Sequence, residues 1–106
     1  MSTQIKKLLQ ELKEGLVRIY GRQLKAVYLY GSYARGDNRK GSDVDVMIVL
    51  TRYQNYSHEI KRTSELIGRL SLDHEISISR IFMKEEQWLT ADTPLLRNIR
   101  SQGQPA

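Results

Sequence analysis

Apolar positions along the chain follow two different periods. Between residues 2 and 22, Ile5, Leu8, Leu9, Leu12, Leu16, Ile19 and Tyr20 recur at i, i+3, i+4 and i+7. That spacing predicts an amphipathic helix. Lys6, Lys7, Glu11, Lys13, Glu14 and Arg18 occupy its other face, and Gly21 supplies a C-terminal stop. Ala26-Val27-Tyr28-Leu29-Tyr30 is β-branched and aromatic in bias and ends at a glycine, which predicts a buried strand. A polar loop over 33–42 follows, with Gly36, Asp37, Asn38 and Gly41 as turn formers.

Residues 43–50 form the second predicted strand, alternating at its start and wholly apolar at its end, as a central strand does. A helix is expected from a cap at Ser57 to about Leu70, with Ile60, Leu66, Ile67 and Leu70 facing the core. Residues 75–82 alternate cleanly and predict a third strand. A short helix near 84–89 comes next. Asp92-Thr93-Pro94 then reads as a cap with proline at the start of a last helix, whose stripe is Leu95, Leu96 and Ile99. The tail Gln104-Pro105-Ala106 is expected to fray. This order, α-β-β-α-β-α-α, predicts an α/β (α+β) fold. It is a small mixed sheet of about three strands, with helices mainly over one face.

Size changes the picture little: 106 residues suit a single domain, 1–106, with one core. There is no run of the roughly 20 apolar residues a membrane helix needs and no apolar leader at the start. Cysteine is absent, which excludes disulfides and thiolate metal sites. A cytoplasmic location is the expectation. The net charge of +5 favours anionic partners. The cations are scattered from Lys6 to Arg100, so charge alone does not argue for direct nucleic-acid binding.

The candidate chemistry lies in one stretch, Gly31-Ser32 followed after ten residues by Asp43-Val44-Asp45. On a strand, i and i+2 point to one face, roughly 6–7 Å apart. Two carboxylates so placed repel unless a cation sits between them, and Mg²⁺ is the hard ion that suits carboxylate and phosphate oxygens. Asp is depleted in strands, so two at the head of a core strand argue for function. Gly31 allows close backbone approach to a phosphate, and Ser32 offers a hydroxyl and an N–H. Arg35 can steady phosphate charge. Arg39 and Lys40 are as well explained as solvated loop cations. Ser42 is a candidate nucleotide contact or a turn former. His58 and His74 stand too far apart to suggest a zinc site, and Trp88 reads as a core anchor.

With these residues in hand, the chain resembles the DNA polymerase beta-like nucleotidyltransferase superfamily, whose signature is Gly-Ser-x₁₀-Asp-x-Asp. The form Gly31-Ser32-Tyr33-Ala34-Arg35-Gly36 and the closing Pro94–Ile99 segment resemble its minimal branch, the MntA-type antitoxins encoded beside HEPN-domain toxins. That resemblance implies a polymerase beta-like fold. It implies Mg²⁺ at Asp43 and Asp45, ATP phosphates at Gly31 and Ser32, and AMP transfer to a tyrosine of a cognate HEPN ribonuclease toxin. The alternative is an antitoxin that neutralises its toxin by binding alone.

Many superfamily members carry a third carboxylate on the third strand. The corresponding segment here offers Glu75, Ser77 and Ser79. Glu75 is the candidate third catalytic residue, with Ser77 or Ser79 open as the residue in that position. A tyrosine hydroxyl needs less activation than an alkyl alcohol.

Overall fold

The computed structural model describes residues 2–106. Its elements are α1 (Thr3–Tyr20), β1 (Leu24–Tyr30), α2 (Ser32–Arg35), β2 (Val44–Leu50), α3 (Tyr56–His74), β3 (Ile78–Lys84), α4 (Glu85–Thr90), α5 (Pro94–Gln102) and β4 (Gln104–Pro105). A 3₁₀ turn, Gly21–Gln23, joins α1 to β1. Ends fall where side chains satisfy first-turn donors. Ser2 Oγ accepts from Ile5 N–H at 3.2 Å, Asn55 Oδ1 from His58 N–H at 3.2 Å, and Thr93 Oγ1 from Leu96 N–H at 3.2 Å. The cap of α3 is therefore Asn55, two residues before the expected Ser57. The helix also runs on to His74, four residues past Leu70. Pro94 opens α5, as expected, and Gly103 closes it.

The sheet order is β3-β2-β1-β4. β1 pairs antiparallel with β2, β2 parallel with β3, and β4 antiparallel with β1. β2 is central, and Val44 and Val46 to Leu50 are all buried. Alternation divides the strand between two layers. Val44, Val46, Ile48 and Leu50 pack with the apolar stripes of α1 and α3, while Met47 and Val49 pack with Leu96, Ile99 and Trp88 of α5 and α4. Helices thus cover both faces, whereas the sequence suggested mainly one. A two-turn helix such as α5 buries only Leu96 and Ile99, too short a stripe to assign to a face from sequence.

Two more expectations are corrected. The third strand begins at Ile78, not residue 75, because α3 extends and terminates through Glu75 in the left-handed region, φ 52°. The tail is not frayed: Gln104 and Pro105 form the fourth strand. Trp88 packs as an anchor, its ring 5.0 Å from that of Tyr28.

The α1–α3 layer encloses one polar network. Glu59 is only 5% exposed. Its Oε1 accepts from Tyr20 Oη at 2.8 Å and from Arg62 at 3.2 Å. Burial, reinforced by the bond to Glu59, pushes the Tyr20 hydroxyl well above the usual tyrosine range. Arg80 crosses from β3 to α3, donating to Thr63 Oγ1 at 2.8 Å and the Ile60 carbonyl at 2.7 Å. These bonds tie α3 to α1 and to β3. They lie on the face away from Asp45, which alternates with Val44 and Val46 and so shares the face of Met47 and Val49.

Candidate active site

β1 delivers Gly31 to the head of β2. Gly31 adopts φ 75°, ψ −156°, a region nearly reserved for glycine. A Cβ placed on it would stand 2.4 Å from Asp45 Oδ2. Glycine is thus required twice here, by conformation and because the Asp45 carboxylate lies against its Cα. The signature's two halves are in direct contact.

From Gly31 the chain turns at once into α2. The Gly31 carbonyl accepts from the N–H groups of Ala34 and Arg35, both at 3.1 Å, and the Ser32 carbonyl from Gly36 and Asp37 at 2.9 and 3.1 Å. Ser32 and Tyr33 hold first-turn positions, whose N–H groups have no acceptor within the turn. Together with the Ser32 hydroxyl they offer donors beside Asp45. Arg35 is exposed and paired with Asp37 at 3.2 Å. Its charge reaches the site and opposes the rise in Asp45's pKa.

Asp43 stands just before β2 and is exposed, while Asp45 lies within the strand and is half-buried. Burial, and then the charge of Asp43, push the Asp45 carboxyl above the usual range. Tyr30, half-buried, is the cross-strand partner of Asp45, and its hydroxyl is pushed up by burial and then by Asp45. Nothing in the sequence marked Tyr30 as a site residue; its cross-strand register does. Ser42 accepts from Arg39 N–H at 2.9 Å and donates its own N–H to the Arg39 carbonyl at 2.9 Å. Its hydroxyl closes the loop that leads into Asp43, which favours the turn role.

β3 places Ser79 opposite Asp45, and the Ser77 carbonyl accepts from Val44 N–H at 2.9 Å. Glu75 lies before that ladder, exposed, as the cap of α3. The register therefore does not bring Glu75 beside the aspartates, and the strand position facing Asp45 holds a serine. Among the described residues no group of three His, Cys, Asp or Glu side chains is gathered, so Asp43 and Asp45 stand as a pair.

That pair suits a hard divalent cation. Its donors are carboxylate oxygens, one partner is exposed and accessible, and the repulsion from Asp43, which adds to burial in raising Asp45's pKa, is what a bound cation relieves. A phosphate on the Ser32 side would share the cation's charge.

Comparison with known proteins bears on this arrangement. A protein of Methanocaldococcus jannaschii named "Putative protein adenylyltransferase" is 32% identical over 100 residues, covering 94% of this chain and 96% of its own length. A "putative nucleotidyltransferase" of Sulfolobus solfataricus matches in structure with a TM-score of 0.67 at 24% identity, over 96% of this chain and 80% of that one. A chain from the complex of tri-AMPylated Shewanella oneidensis HEPN toxin with MNT antitoxin matches with a TM-score of 0.52 at 16% identity, over 92% of this chain and 70% of that one. Those two likenesses show a shared fold. The model of the nucleotidyltransferase domain family spans residues 5–100, taking in the Gly31-Ser32 turn and both aspartates, and this chain belongs to that family.

Proposed function

We propose that the protein is an Mg²⁺-dependent antitoxin that transfers AMP from ATP to a tyrosine hydroxyl of a cognate HEPN-domain ribonuclease toxin. The observation that supports this reading is how closely the Asp45 carboxylate approaches Gly31, where an added Cβ would stand 2.4 Å from Oδ2; the turn proposed to bind phosphate lies against the pair proposed to bind the cation. Asp43 and Asp45 would hold the Mg²⁺, which when bound neutralises charge on the carboxylates and phosphates. Ser32, with the N–H groups of the α2 turn, binds and orients the phosphates, and Arg35 adds positive charge. Ser42 serves this site by shaping the loop before Asp43.

In the transfer, the phenolic oxygen bonds to the α-phosphorus, the bond to the bridging oxygen of the β-phosphate breaks, and pyrophosphate leaves. The phenolic proton passes to solvent. Ser79, the residue facing Asp45, is no general base at neutral pH. A phenol with pKa about 10 is the hydroxyl acceptor that least needs one. Exposure of Asp43 at the strand head leaves the site open to an acceptor on another macromolecule. The M. jannaschii relative's name and the AMPylated Shewanella complex support the same reaction class. AMP on a ribonuclease would hinder RNA by adding negative charge.

Intact-mass spectrometry of the adjacent gene's product after incubation with this protein, ATP and Mg²⁺ tests the proposal. Gains in steps of about 329 Da, the mass of one AMP unit, are expected as a covalent modification. Asp43→Asn with Asp45→Asn should abolish them while the protein stays folded. A stable complex that neutralises the toxin with no gain in mass would establish the binding-only alternative instead.

A further inference from the structure

The last strand is tied to the turn at the site. β4 pairs with β1 at Tyr28 and Leu29, and Ala106 N–H donates to the Val27 carbonyl at 2.9 Å. Lys13 Nζ, from α1, donates to the Ala106 backbone oxygen at 3.0 Å. The strand is thus held at its far end independently of the site. From this platform Gln104 Nε2 donates to the Ala34 carbonyl at 2.8 Å in a part-buried bond between residues 70 positions apart.

Ala34 is the third of the four residues of α2. Carbonyls in a helix's last turn have no partner within it. The turn's other hydrogen bonds close on themselves: Gly31 to Ala34 and Arg35, Ser32 to Gly36 and Asp37, and the Arg35 side chain to Asp37. Among the described residues, Gln104 supplies the bond that joins this short turn to another element. An isolated four-residue helix has almost no stability of its own, so the aim of its N–H groups depends on what holds it from outside. Tyr33 and Ala34 add apolar packing, but packing is less directional than a hydrogen bond.

We propose that Gln104 is a positioning residue for the nucleotide: through the Ala34 carbonyl it fixes the orientation of the Ser32 and Tyr33 N–H groups toward the phosphates. The residue lies beyond the segment 5–100 that the family model spans. The proposal rests on the reading that the Gly31-Ser32 turn holds the nucleotide phosphates.

The test is titration calorimetry with Mg²⁺ and a non-hydrolysable ATP analogue on wild type, Ser32→Ala, Gln104→Glu, Gln104→Lys and Lys13→Ala at pH 8. Gln104→Glu keeps the shape, removes the donor and sets a carboxylate against the Ala34 carbonyl, and its Kd should rise by at least about 3- to 10-fold, the worth of one hydrogen bond. Gln104→Lys restores a donor and should recover much of the affinity. Lys13→Ala removes only the tie at Ala106, while the pairing of β4 with β1 keeps Gln104 in place, and it should bind as wild type does. Mn²⁺ binding without nucleotide should be unchanged in every Gln104 variant, because Asp43 and Asp45 are untouched.

If wild type and Ser32→Ala bind the nucleotide differently but Gln104→Glu matches wild type, the positioning role is overturned. It is equally overturned if Lys13→Ala weakens binding as much as Gln104→Glu does, since the strand's mere attachment would then explain the effect. Wild type that binds no nucleotide overturns the reading of the turn, and this proposal with it.

Discussion

Gly31→Ala separates what the site needs from what the fold needs. Gly31 sits at φ 75°, ψ −156°, where a side chain costs about 1–3 kcal/mol. The added Cβ would stand 2.4 Å from Asp45 Oδ2, where ordinary contact begins at 3.4 Å. The obstacle is the free end of a side chain, so the fold can yield by rotating Asp45, and the steric part of the stability loss stays small. The carboxylate, however, must retreat by about 1 Å, a displacement that can cost on the order of 100-fold in rate.

Gly21→Ala is the matched control. Gly21 also has positive φ, 57°, with ψ −126°, but a Cβ there meets nothing within 4 Å and lies at the end of α1. Urea unfolding should give both variants losses of about 1–3 kcal/mol. AMP transfer, followed by intact mass at temperatures where both are folded, should fall on the order of 100-fold for Gly31→Ala and stay near wild type for Gly21→Ala. Equal transfer rates in the two variants would refute the claim that Gly31 places the Asp45 carboxylate.

Asp45 has a raised pKa in the fold, so its ionised form is disfavoured there. The resulting penalty is fully present above that raised value and fades as pH falls through it. Asp45→Asn should therefore raise Tm in chelator at pH 8, with the gain shrinking in acid, while Mg²⁺ stabilises wild type and not the variant; melting curves across pH check both. Glu75→Gly should stabilise the protein by about 1 kcal/mol, since glycine relieves the left-handed cap of α3. It should also leave the transfer rate within about threefold of wild type, as for surface changes away from the chemistry; a large loss of transfer would restore Glu75 as the third catalytic group. Tyr20→Phe removes the 2.8 Å bond to buried Glu59 and should cost about 1–3 kcal/mol in denaturant unfolding with no change in transfer by the folded protein.

The strands and helices with long periods were legible in the sequence because each buries a full stripe or alternation: α1 through Leu8, Leu12 and Leu16, β2 through Val46 to Leu50. Gly31-Ser32 and Asp43/Asp45 were legible as a pair of motifs, and the fold brings the two into contact. What the sequence hid depends on pairing across long separations. Glu75 alternates with Ser77 and Ser79 as a strand residue would, but α3 buries Leu70 and runs on to His74, which leaves Glu75 to end the helix in a left-handed turn. Gln104 and Pro105 carry no strand signal, and they become one only because β1 presents a free edge beside α1 and the α2 turn. Tyr30 reads as the end of a core strand until the register sets it opposite Asp45.

The central claim is that this site moves the α-phosphate of ATP, with its nucleoside, onto a partner's tyrosine. Parallel reactions with ATP radiolabelled at the α- or the γ-phosphate, each containing Mg²⁺ and the adjacent gene's product, test it most directly. The α-label should become fixed to a tyrosine of the partner and the γ-label should not, with both absent when Asp43 and Asp45 are replaced by Asn. Fixed γ-label, or no fixed label in a mixture where the two proteins form a stable complex, would contradict it.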